Sequence, residues 1–155
     1  MNATAKKRAR NTSQNRVGKM RYELYRNAIE WLQNAIDRQY YMEAISLEGS
    51  LISDRLESRL QQISGDDSGF RTLENLIQTL SLEENDETLK ELLNHDLNSW
   101  RMEHDFALHD MVKFLEGETP SWENRIEHNR NIALEGLRLF RQIDREVKRL
   151  KHSNI

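Results

Sequence analysis

One proline, Pro120, and six glycines are all the backbone punctuation that this 155-residue chain contains. Proline ends or kinks a helix, and sheet proteins need turn residues at short intervals, so such sparse punctuation favours long helices. The apolar spacing agrees, because it repeats every three to four residues and not every two. It predicts a first helix from about Lys19 to Gln39 on Leu24, Ala28, Trp31 with Leu32, and Ala35. Tyr40-Tyr41 opens a second on Ile45, Ile52, Leu56 and Ile63, with Leu47, Leu51 and Leu60 flanking. The Ser64–Gly69 stretch reads as a loop, and a short helix follows through Phe70, Leu73, Leu76, Ile77 and Leu80. After the acidic Glu83–Glu87 linker, Thr88 with Glu91 three residues on has the form of a capping box, starting a helix that contains Leu89, Leu92, Leu93 and Leu97. A break is expected near Asn98-Ser99, and a fresh helix from about Trp100, stopped by Gly117-Glu118-Thr119-Pro120. The last helix runs from Pro120 to about His152 on Ile126, Ala133, Leu137, Phe140 and Val147. The expected architecture is an all-α, up-and-down helical bundle with a long C-terminal helix: one domain, 18–155, behind a flexible basic arm, 1–17.

Charge is distributed unevenly. Residues 1–26 hold eight basic side chains against Glu23 alone, a net charge of +7, which leaves −10 on the rest of a chain whose total is −3. A basic arm on an acidic body suits contact with nucleic acid or an acidic partner; a solvated tail is the plainer reading, since no aromatic precedes Tyr22. The absence of cysteine excludes disulfides, thiolate metal sites and cysteine nucleophiles. No apolar run approaches the roughly 18 residues that span a bilayer, and no signal-peptide core opens the chain, so no membrane contact and a cytoplasmic location are expected.

The segment richest in chemistry is Trp100–Lys113. On a helix, Arg101, Asp105 and His109 recur every four residues as a ladder, beside an apolar side of Met102, Phe106, Met111, Val112 and Leu115. A helix start near Trp100 would add positive end potential beside them. Asp105 and His109 have a chelating spacing, but His104 and His109 are five apart, about 140° around a helix, and His95, His128 and His152 show no ligand spacing; no metal or other cofactor is expected. On the second helix Glu48 and Arg55 lie two turns apart on one face, next to Asp54. Buried in an apolar stretch they require partners, which makes a structural ion-pair network the plain reading and a carboxylate orienting a histidine the functional one.

Two of these segments resemble the HEPN superfamily, small all-helical prokaryotic domains marked by an Arg, often followed by Asn, with a His four to six residues further on. Trp100-Arg101-Met102-Glu103-His104-Asp105-Phe106-Ala107-Leu108-His109 aligns with the pattern WR.ERN...H, with His109 as the motif histidine and His104-Asp105 where the family has Arg-Asn. The run Tyr40–Leu56, YY.EAI.LE..LI.DRL, is similar to the second helix of a bacterial HEPN-like subfamily. The resemblance implies a metal-independent endoribonuclease of toxin–antitoxin or phage-defence type, a homodimer whose composite site is shared between protomers, RNA as substrate and a cognate antitoxin protein as partner.

Metal-free RNA cleavage needs a base for the 2′-hydroxyl proton, a cation for the phosphorane and an acid for the leaving oxygen. The resemblance casts His109 as base or acid, with Asp105 holding its tautomer, Arg101 pairing with Asp105 or contacting phosphate, and Glu48 near the site. His104 lacks the permanent charge and bidentate fork of the family's arginine. Two readings stay open: His104 and His109 form a two-histidine acid–base set with Arg101 as the cation, or the chain is a catalytically inactive HEPN-like helical dimer that binds protein or nucleic acid. The basic C-terminal part of the last helix, broken by Glu127, Glu135, Asp144 and Glu146, is a solvated face or, in a dimer, the rim of an RNA groove.

Overall fold

A computed structural model describes the backbone of residues 3–65 and 71–153, with side chains from residue 16 onward; every regular element among them is helical. They are α1 (Ala3–Asp37), α2 (Tyr41–Ser64), α3 (Leu73–Glu83), α4 (Glu87–Leu92), a π-turn (Leu93–Leu97), α5 (Asn98–His109) and α6 (Trp122–Ser153). Because α4, the π-turn and α5 follow without interruption, they make one rod, and the described residues form five helical segments.

The centre of the fold is α2, which packs against α1, α3, α5 and, most extensively, the long C-terminal α6. Its buried residues Ala44, Ile45, Leu51, Ile52, Leu56 and Leu60 meet Ile132, Ala133, Leu139, Phe140, Ile143 and Val147 of α6 in one core. Contacts fix the sense of the rods. Arg21–Asp54 and Trp31–Glu43 make α1 antiparallel to α2, whereas Glu48 against Gly136 and Arg55 with Asp144 make α6 parallel to it. Trp100 to Ile132 and Asp96 to Arg138 set the π-turn and α5 antiparallel to α6.

Several boundaries differ from expectation, each for a local reason. The backbone is helical from Ala3, not from Lys19, in keeping with a run of Ala, Lys and Arg without proline. The inner stripe of α1 is Leu32 and Ala35 with half-buried Tyr25, Ala28 and Ile36; Leu24 and Trp31, expected inside, are exposed. Thr72 caps α3, accepting from the Asn75 N–H at 3.1 Å, so α3 begins at Leu73; Phe70 lies outside the described residues. The cap of α4 is Asp86 and not Thr88: its carboxylate accepts from the Leu89 N–H at 3.0 Å. No break occurs at Asn98-Ser99. Buried Leu97 and Trp100 on either side draw the rod onward through the π-turn, and the expected helix-end potential beside the ladder is therefore absent. At its far end α5 stops at His109, eight residues before Gly117, because Val112, Phe114 and Leu115 bury no face and stand exposed. Ser121, accepting from the Asn124 N–H at 3.1 Å, opens α6.

None of the described helices is long and apolar enough to cross a membrane.

Candidate functional site

The candidate residues divide into a packed cluster, a solitary buried carboxyl and an exposed histidine. Packing begins with Trp100, whose indole N–H donates 2.9 Å to the Ile132 carbonyl of α6, anchoring α5 from within. One turn on, the His104 imidazole tilts against the Trp100 ring at 5.2 Å between centroids. Its Nε2 points at α2, where it would stand 2.4 Å from a Cβ placed on Gly49. Glycine at 49 is what lets the two helices approach so closely. The other ring nitrogen, Nδ1, lies 2.9 Å from Oδ1 of Asp105.

Asp105 is thereby committed to neighbours other than His109. Its second oxygen, Oδ2, accepts from the Arg101 guanidinium at 3.0 Å, and the same guanidinium donates to the Asn98 side chain at 3.3 Å and stands 3.8 Å from Glu74 on α3. The Arg101 side chain is only 14% exposed and its Nε is buried without a partner. Arg101, His104 and Asp105 thus form a chain of contacts along α5 that closes onto α2 and α3. Asp105 contacts His104 where His109 was expected, and of the two expected partners of Arg101 the geometry shows Asp105.

His109 is an exposed side chain at the last residue of α5, with no side-chain hydrogen bond or ion pair among the described residues. The expected apolar side of the ladder is also incomplete: Met111 is buried, Phe106 is half-buried under the Arg125 guanidinium at 5.0 Å, and Met102, Val112 and Leu115 are exposed.

Glu48 has 0% of its surface exposed, and neither carboxyl oxygen has a hydrogen-bond partner. It is wedged with Trp100 against α6: a Cβ on Gly136 would lie 2.2 Å from its Oε1 and 2.6 Å from Cζ2 of Trp100. Burial pushes its carboxyl up to about 9, so it is a neutral acid at pH 7. The expected pairing of Glu48 with Arg55 does not form. Arg55 instead bonds Asp54 at 2.6 Å, approaches Asp144 at 3.7 Å and stacks 4.4 Å over the Tyr25 ring, whose hydroxyl donates to Asp144 at 3.1 Å. Burial alone would raise Asp54, but hydrogen bonds from Arg55 and Arg21 outweigh it and hold the carboxyl below its ordinary range. The ion-pair network on this face exists; Glu48 is simply not part of it.

Sequence reasoning missed two features. The acidic linker hides Glu84, which is 1% exposed and receives both Nε and Nη2 of Arg59 at 2.7 and 2.8 Å. A groove of about 340 Å³ opens between α5 and α6 over Trp100 and Ile132, with Asp96, Glu103 and Glu135 on its walls; one wall is closed by His128 bonded to Glu103 at 2.7 Å. Only a residue pair at the right separation on two helices, which no local pattern encodes, would have revealed either. Among the described residues no three His, Asp or Glu side chains are grouped so as to hold a metal ion.

Comparison with protein-family models, curated proteins and solved structures finds no match to this chain.

Proposed function

We propose that this chain is a helical interaction module, the non-catalytic form of the HEPN-like, up-and-down dimer that its sequence resembles. One observation carries the reading: Arg101, His104 and Asp105 are engaged with one another and with the neighbouring helices, His104 against α2 and Arg101 towards Glu74 of α3. His104 fills the space over Gly49, Asp105 bridges His104 and Arg101, and Arg101 reaches Asn98. A phosphate partner needs a free guanidinium fork, and a histidine base works best where a second group fixes its tautomer. Arg101 has its fork occupied, and His109 has no such partner among the described residues. Exposed apolar side chains on α1 and on the segment between α5 and α6 supply the surface that an interaction module uses.

The ribonuclease reading keeps one observation in its favour, the exposed His109 at a helix end. Incubating purified protein with mixed RNAs in EDTA decides between them. The module reading expects no cleavage from wild type, and none from His104→Arg, whose longer side chain has no room over Gly49. Cleavage in EDTA that falls by about two to four orders of magnitude in His109→Ala would establish the nuclease and end the module reading.

A further inference from the structure

The first helix has two apolar stripes, and the bundle uses one. The inner stripe faces α2. A second, about 100° around the helix, follows a heptad: Val17, Met20, Leu24, Asn27, Trp31 and Asn34 are separated by alternating steps of three and four residues. All six are exposed, the four apolar ones by 62% at Val17, 56% at Met20, 70% at Leu24 and 55% at Trp31, even with the Trp31 indole donating to Glu43. Every residue from Arg16 to Leu24 is exposed, so beyond contacts such as the Arg21–Asp54 ion pair this part of α1 buries little against its own bundle. A helix segment unsupported by tertiary packing is marginal in water. The sequence pattern that would remedy this is a seam for another helix.

Charge selects which helix. Residues 1–22 contain seven basic side chains and no acidic one, whereas residues 23–37 contain Glu23, Glu30 and Asp37 against Arg26 alone. A parallel copy of α1 would set basic half against basic half. An antiparallel copy sets the basic half of each against the acidic half of the other and brings the arm of one chain alongside Asp37 and Glu43 of the second.

Deepening the interaction-module reading, on which it rests, we propose that the heptad face of α1 is a self-docking surface, on which a second copy of this chain packs its own α1 in antiparallel. Around the two-fold axis Leu24 of one copy meets Asn27 of the other, Met20 meets Trp31 and Val17 meets Asn34. The Met20–Trp31 layers are wholly apolar and drive the association, and the asparagines opposite Leu24 and Val17 fix the register at some cost in stability.

The natural absence of cysteine makes the register testable. Light scattering at micromolar concentration is expected to show a dimer, which Leu24→Glu weakens by about a hundredfold, roughly tenfold for each copy, while the bundle stays folded and circular dichroism loses only the helicity of the start of α1. Under oxidation Val17→Cys with Asn34→Cys is expected to give a covalent dimer, while Val17→Cys alone gives none. The two positions lie about 25 Å apart along one helix, too far for a bond within a single chain. A monomeric wild type, a dimer untouched by Leu24→Glu, or cross-linking by Val17→Cys alone as efficient as by the pair would each overturn the seam. None of these outcomes bears on RNA cleavage in EDTA, which tests the module reading separately.

Discussion

The two halves of α2 bury charge-bearing side chains by opposite means. At its C-terminal half, Arg59 donates twice to Glu84, whose Oε1 also accepts from the Asp86 N–H at 3.1 Å. Burial pushes Glu84 up, but the guanidinium and that N–H outweigh it, so the carboxyl ionises below its ordinary 4.5. At the N-terminal half Glu48 is also buried, has no donor, and is held neutral up to about 9. The same side-chain type, shut off from solvent in both places, is an anchor in one and a cost in the other. Glu84 has donors and Glu48, set deeper in the packing, has none.

Removing Arg59 should have the largest effect. Arg59→Met leaves Glu84 buried without its cation, and urea denaturation at pH 7 is expected to show a loss of about 3–5 kcal/mol. A loss under 1 kcal/mol would mean that the pair is far more hydrated than its geometry implies. Stability from this pair is present above pH 4.5 and falls as the solution is acidified through the depressed value of Glu84, since below 4.5 the unfolded chain binds the proton first.

Glu48 reverses that sign. Its folded-state value is raised, so its contribution is fully present below 4.5 and is lost as pH rises from there through about 9, the range in which the unfolded carboxyl is ionised and the folded one is not. Glu48→Gln removes the ionisation and is expected to stabilise the protein at pH 8 by on the order of 1–3 kcal/mol, with little effect at pH 4. The urea midpoint measured at both pH values checks this. Equal midpoints for the two proteins at pH 8 would show that Glu48 finds a donor in solution.

Helical class and core were legible in the sequence because they depend on periodicity, which each helix carries by itself. Ile45, Ile52, Leu56, Ala133, Phe140 and Val147 are buried as their spacing predicts. Errors arose where two faces compete. The α1 stripe that looked like the core, Leu24 and Trp31, is the exposed one, since two apolar stripes on one helix cannot be ranked without knowing what lies beside them. Of the five candidate site residues, Arg101, His104 and Asp105 are in contact, whereas Glu48 and His109 stand apart from them. Spacing put Arg101 and Asp105 together correctly at 3.0 Å, yet the family resemblance assigned Asp105 to His109, whereas a neighbouring helix with a glycine at 49 offers His104 a place to pack. Arg59 and Glu84 are 25 positions apart on different elements, beyond any local pattern.

His104 is a packing residue fitted to Gly49, and a double-mutant cycle between the two tests this most directly. Gly49→Ala drives a methyl to within 2.4 Å of His104 Nε2, whose ring is held by Asp105 and Trp100 and cannot swing away freely. Each single change is expected to cost about 1–3 kcal/mol in urea denaturation, and the double variant Gly49→Ala with His104→Ala about 1 kcal/mol less than their sum, because the smaller side chain at 104 makes room for the methyl. Strictly additive losses, or a His104→Ala variant as stable as wild type, would contradict the account and return His104 to the candidates for chemistry.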